Sequence, residues 1–227
     1  VVMTFGIASL ALADGTETLG PPNVSVAPGS GIVAAGVGLE FVQPDTINII
    51  VPGTAVNQAL LYWSGEFYSN GADTDSITVN GTDVIGDRIG GPTFFFNFNG
   101  SVNVAAYRAD ITSMVSAGPN SLEINGLDFD LANHGAGVLV IYDDGMGTAD
   151  IQLRDGVDLA FFGFPEPRQN TVLQTFTFAA EPADRIATLE IFASSVGEGR
   201  PNYIEFTTGG VTTTIVNPLG SVDGALW

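Results

Sequence analysis

From Ile32 onward, apolar side chains recur at every second position in short runs broken by turn-forming pairs. That period of two belongs to half-buried β-strands and not to helices. The runs are residues 32–42, 46–51, 58–64, 76–80, 93–98, 102–108, 121–127, 136–142, 149–154, 157–162, 171–179, 186–193, 203–208 and 211–216. Asn80-Gly81, Asn99-Gly100, Asn125-Gly126, Asp144-Gly145 and Asp155-Gly156 lie between or beside them, and such pairs accept the positive φ of tight turns. Only 109–117 reads as helical, with Ile111, Met114 and Val115 on one face and Gly118-Pro119 closing it. Without alternating helices to make crossovers, a parallel α/β sheet is excluded. The expected fold class is all-β: an antiparallel two-sheet β-sandwich, jelly-roll-like, with at most one short helix near residues 109–117.

The 227 residues are 45% hydrophobic, enough for a substantial core, and only 14% charged. Twenty-five acids against six arginines, with no lysine, leave a formal net charge of -19. Nucleic acid is a poor partner for such a field, and so is an anionic membrane surface. Residues 1–13 are almost wholly apolar and end Ala11-Leu12-Ala13 ahead of Asp14-Gly15-Thr16-Glu17, the order of an export signal, its small-residue cleavage site and a polar mature start. The run is too short to span a bilayer, which takes about 20 residues, and nothing later resembles a transmembrane segment. The expected organisation is a signal-peptide remnant, or alternatively a donor strand, at 1–13, a linker at 14–31 with Pro21, Pro22 and Pro28, and a β-sandwich domain at 32–227. Since the chain opens with neither an initiator Met nor a basic stretch, it reads as beginning inside the signal.

The absence of cysteine and the single histidine, His134, remove most nucleophilic, redox and zinc chemistry. His134 falls in Asn133-His134-Gly135-Ala136-Gly137, read as a turn. A Ser-His-Asp triad is formally available, yet no nucleophile-elbow sequence supports it. Glu66, Glu123, Glu190 and Glu205 lie in or beside strands and read as outward-facing carboxylates; a glycosidase pair is the weaker reading, because only Trp63 and Trp227 could line a sugar cleft. Aspartates dominate the turns, and a hard cation such as Ca²⁺ needs six to eight oxygens of the kind they supply. Asp73 with Asp75, and Asp128 with Asp130, are the preferred ligands, since alternation along an extended segment sets each pair on one face. The competing reading of each pair is an Asp bonding its own turn. Tyr107-Arg108-Ala109-Asp110 reads as a structural brace. Phe94-Phe95-Phe96-Asn97-Phe98 breaks alternation and reads as buried, while Phe161, Phe162 and Phe164 pose the same question and would suit sugar stacking if exposed. Asn23, Asn80 and Asn99 head N-glycosylation triplets.

The runs Gln58-Ala59-Leu60-Leu61-Tyr62-Trp63-Ser64-Gly65, Asp75-Ser76-Ile77-Thr78-Val79-Asn80-Gly81, Tyr107-Arg108-Ala109-Asp110-Ile111-Thr112 and Gly135-Ala136-Gly137-Val138-Leu139-Val140-Ile141-Tyr142-Asp143-Asp144 together resemble a family of secreted β-sandwich modules of unknown function. These modules occur in large, adhesin-like prokaryotic surface proteins that bear sorting signals. The resemblance covers about half the chain. It implies a place at the cell surface or in an extracellular matrix, offers no active site to carry over, and implies further sequence beyond Trp227.

The expected function is a non-catalytic, extracellular structural or adhesive cell-surface module, with Ca²⁺ rigidifying its acidic loops. Its expected partners are other surface-protein modules or copies of itself, and glycans. Two alternatives stand beside it: a filament or sheath subunit assembling by strand addition of the N-terminal segment, and a carbohydrate-binding jelly roll.

Overall fold

The computed structural model describes residues 19–145, 149–180, 182, 186–196 and 200–219. The signal or donor segment expected at 1–13 lies outside them, and so does the chain end at 220–227. Eleven strands form: β1 (Ser30–Gly38), β2 (Asp45–Val51), β3 (Ala55–Tyr68), β4 (Ser76–Val79), β5 (Thr82–Ile85), β6 (Asp87–Asn97), β7 (Ser101–Asp110), β8 (Gly118–Asn125), β9 (Ala132–Asp143), β10 (Tyr203–Thr208) and β11 (Val211–Val216). The helix expected near 109–117 is a single 3₁₀ turn, Thr112–Met114, in the connection from β7 to β8.

Every pairing among these strands is antiparallel. One sheet runs β1-β9-β3-β7-β6, a second runs β2-β8-β4-β5, and β10 with β11 makes a separate two-stranded ribbon. The partners are concentric: β1 with β9, β2 with β8, β3 with β7, and β4 with β5. A long hairpin whose arms pair this way and then roll up, so that β9 meets β3 and β8 meets β4, is a jelly roll, here with β6 added at the edge beside β7. The two sheets face each other across one apolar layer.

That layer follows from alternation. Leu61 and Trp63 of β3, Ala105, Tyr107 and Ala109 of β7, and Val138 and Val140 of β9 point inward from the larger sheet. Ile47, Ile49 and Val51 of β2, Leu122 and Ile124 of β8, and Ile77 and Val79 of β4 meet them from the smaller one. Trp63 is fully buried, stacks on Tyr107 with ring centroids 5.8 Å apart, and donates its indole N–H to the Thr74 carbonyl at 2.8 Å. Gly86 packs directly against the edge of that indole, where any side chain would collide.

The outer face of the larger sheet is also covered. Leu60, Leu139 and Ile141 point away from the sandwich core yet are buried. Described residues after β9 contribute to this cover: Phe192 packs on Tyr62 at 5.7 Å, Asp155 pairs with Arg108, and Val157 abuts Gly90. Strands expected at 149–154, 157–162, 171–179 and 186–193 do not form ladders there. The described residues of these runs lack a continuous backbone partner and are held instead by single bonds such as Gln152 Nε2 to the Thr177 carbonyl at 2.5 Å and Arg154 to the Thr175 carbonyl at 3.2 Å. Part of the expected linker is also structured: Gly20 exchanges two backbone hydrogen bonds of 2.9 Å with Asp155, and β1 begins at Ser30.

Candidate functional site

The pairing of β3 with β9 shifts register between Ser64 and Gly65, so that Ser64 faces Gly135 and Gly65 faces Asn133. His134 is the extra residue of this bulge. A bulge re-aims a side chain, and here it turns the imidazole away from the core onto the outward face shared by Ser64 and Glu66. Ser64 Oγ lies 3.1 Å from His134 Nδ1, and Glu66 Oε1 lies 3.2 Å from His134 Nε2. With the carboxylate accepting from Nε2–H, Nδ1 accepts from the serine hydroxyl, so hydroxyl, imidazole and carboxylate stand in hydrogen-bonding order.

Two sequence expectations are corrected. His134 is not in a turn but inside β9 and 2% exposed; Glu66 does face outward from the sheet but is not solvated, being 8% exposed. Alternation across 60–66 put Ser64 and Glu66 on one face in the sequence, but the residue that joins them does so through a bulge, which a strict period of two cannot register.

The order matches an acyl-transfer relay, although there the nucleophile sits on Nε2 and the acid on Nδ1. The surroundings differ more. Ser64 lies in the middle of β3 between β7 and β9, so its flanking N–H groups belong to sheet ladders and not to an oxyanion-binding turn. Glu40 lies near the row; burial pushes its carboxyl up and outweighs the pull of nearby cationic side chains such as Arg200, with a net rise. The arrangement satisfies three buried polar groups mutually and ties β3 to β9.

A second polar network sits at the core's rim. Arg88 of β6 donates to Asp73 at 2.5 Å and to the Tyr107 hydroxyl at 3.0 Å, and that hydroxyl donates in turn to Asp73. Asp73, a proposed cation ligand, is thus occupied by a guanidinium. The other three candidates fall close by. Asp130 Oδ1 accepts from the Tyr68 N–H at 3.0 Å, the Asp128 N–H donates to Thr74 Oγ1 at 3.1 Å, and the Asp75 carbonyl accepts from Gly86 at 2.8 Å. Loops 69–75 and 126–131 therefore adjoin, and both candidate pairs are brought to one end of the sandwich. Asp128 and Asp130 are exposed on either side of buried Phe129, as alternation requires. Among the described residues, no group of three or more His, Cys, Asp or Glu side chains is gathered in cation-binding geometry. Arg108 pairs with Asp155, across elements, and not with Asp110; the latter accepts from Thr112 and Gln58.

The two phenylalanine runs, far apart in sequence, meet on the surface. Phe95 packs edge-on to Phe164 at 5.6 Å and to Phe96 at 5.0 Å, Phe161 touches Phe162 and Phe164 at 4.9 and 5.3 Å, and Arg168 covers Phe164 at 4.8 Å. Burial expected for 94–98 is only partial: Phe94, Phe95 and Phe96 are half-buried, whereas Phe98 is 55% and Phe162 60% exposed. A shallow recess elsewhere, between 21–26 and 151–154, is lined mainly by prolines, valines and Arg154, whose guanidinium is held by carbonyls and by the Phe176 ring.

Chemically, the described surface thus offers an aromatic patch, acidic loops and extended edges, while its one imidazole is enclosed. Comparison with protein-family models, with curated proteins and with solved structures finds no match to this chain.

Proposed function

We propose that the chain is a non-catalytic structural or adhesive module of an extracellular surface. The observation that carries this reading is the burial of His134: the sequence's one imidazole is spent tying two strands together, with its serine and glutamate neighbours equally enclosed. A general base must reach the proton it abstracts, and this one faces protein. An acidic surface that keeps the molecule dispersed, and a rolled sandwich with few regular helices to lose, suit a load-bearing or contact-making part.

Protease shaving of intact source cells, followed by detection of released fragments, tests the location. Release before lysis is the expected result, together with no serine-hydrolase labelling by a fluorophosphonate probe. Fragments appearing only after lysis would remove the surface assignment, and labelling abolished by Ser64→Ala would remove the non-catalytic one.

A carbohydrate-binding role is the second reading, favoured by the convergence of Phe95, Phe96, Phe161, Phe162 and Phe164. It is weaker because enclosed Trp63 contributes nothing and the patch has few polar groups to orient sugar hydroxyls. Retention on polysaccharide that Phe162→Ala abolishes would move the assignment to it.

A further inference from the structure

β11 is an edge strand without protection. All six residues, Val211–Val216, are β-branched, uncharged and exposed. Proteins ordinarily blunt an edge by shortening it or by adding charge, proline or bulges, and two other edges here follow that rule. β5 is four residues long and carries Asp83; β6 carries Pro92 and three register shifts. The ribbon is nonetheless well formed. Gly209 and Gly210 take φ of 56° and 79°, as a two-residue hairpin turn demands, and the Thr207 and Thr212 hydroxyls meet at 2.8 Å across the strands. At its open end the Asn217 N–H donates to the Asn202 carbonyl at 2.7 Å, and the Asn202 side chain accepts from Leu219 at 3.0 Å. A two-stranded ribbon is marginal by itself, and among the described residues neither of its outer edges is paired. Val211, Ile215, Val216 and Tyr203 are 44–67% exposed.

Charge decides the occupant. At a net charge of -19 the molecule repels its own copies over most of its surface, yet residues 202–219 carry one charged side chain, Glu205. A basic partner would be drawn to the acidic loops instead. An uncharged edge is where an identical molecule can approach. Within the ribbon, pairing through β10 would set Glu205 close to its own copy, and like charges facing across strands are destabilising; β11 has no such conflict.

We propose that β11 pairs antiparallel with β11 of a second copy, about a two-fold axis at Thr213 that sets Thr213 opposite its own copy and lets the outward-turned N–H and C=O groups of Thr212 and Thr214 bond across, to make a continuous four-stranded sheet. This deepens the proposed role as an assembling module and names its partner.

Sedimentation equilibrium of the full chain tests it. The mass should rise from monomer to dimer with concentration, Thr213→Asp should weaken association at least tenfold with an unchanged melting curve, and Thr207→Asp on β10 should leave it intact. Thr213→Cys, the sole thiol in its chain, should oxidise to a covalent dimer, and Thr207→Cys should not; this pair decides the matter if the aspartate variant misfolds. A wild type monomeric at every concentration, a dimer indifferent to Thr213→Asp, or cross-linking through position 207 instead of 213 would overturn the proposal. A monomer shaved from the cell surface would remove this inference alone, whereas a β11 dimer found only after lysis would remove the surface assignment alone.

Discussion

Tyr107 stands where the apolar layer meets its polar rim, with its ring on Trp63 and its hydroxyl between Asp73 and Arg88. Burial first, then the hydrogen bond to Asp73, push its phenol up to about 12, against the pull of Arg88. Tyr62 is raised too, chiefly by burial and then by the charge of Asp155. An unfolded tyrosine ionises near pH 10. A folded pKa above that value means the contribution to stability is complete below about pH 10 and is lost as pH rises through the folded value. Chemical denaturation between pH 8 and 12 should therefore show falling stability, and Tyr107→Phe should flatten that fall; an unaltered slope would contradict the assignment. The same residue shows what could be read in advance. Its inward side was legible from alternation with Ala105 and Ala109, but its hydroxyl's partners come from a loop and from β6, both distant in sequence. His134 was illegible for a local reason, because one inserted residue reverses the face to which it belongs.

Strands with strict alternation and one solvated face were the legible elements. β2, with buried Ile47, Ile49 and Val51 alternating with more exposed neighbours, formed where the period of two put it, whereas β9, buried on both faces, was found from a continuous apolar run and extends four residues ahead of it. β5 left little trace, since only Val84 of its four residues is buried. The runs at 149–193 erred in the other direction: alternation states that a segment can lie extended between two environments, whereas a ladder also needs a free backbone neighbour. Turn chemistry separates two glycines by what surrounds them. Gly81 and Gly91 take φ of 74° and 82°, but a Cβ at Gly81 enters open space while one at Gly91 would strike the Val104 carbonyl. Gly81→Ala should cost about 1 kcal/mol of strain alone. Gly91→Ala should cost at least ~3 kcal/mol, or prevent β6 from docking on β7. Urea denaturation of the two variants measures the difference, and equal losses would mean that the contact with β7 is unimportant.

At the scale of the molecule, sandwich class and acidic surface were legible from the period of two and the count of carboxylates, and the concentric strand order is the jelly roll that those strands were expected to make. The meeting of loops 69–75 and 126–131 was not legible, because it depends on how the roll closes. If Ca²⁺ binds among Asp75, Asp128 and Asp130, a hundredfold excess over its dissociation constant should stabilise the fold by about 2.7 kcal/mol, and melting curves identical in chelator and in millimolar calcium would remove calcium from the account. The concentric order also governs how the molecule is made. β4 and β5 can join as soon as they are synthesised, but Ser30 finds its partner only at Asp143, so the outermost pair must wait for the rest. A chain arriving end first, from a ribosome or through a translocation pore, holds β1 unmatched until β9 has emerged, and closure by so distant a contact is slow. The stretch that begins the fold is therefore the one most in need of shelter during delivery.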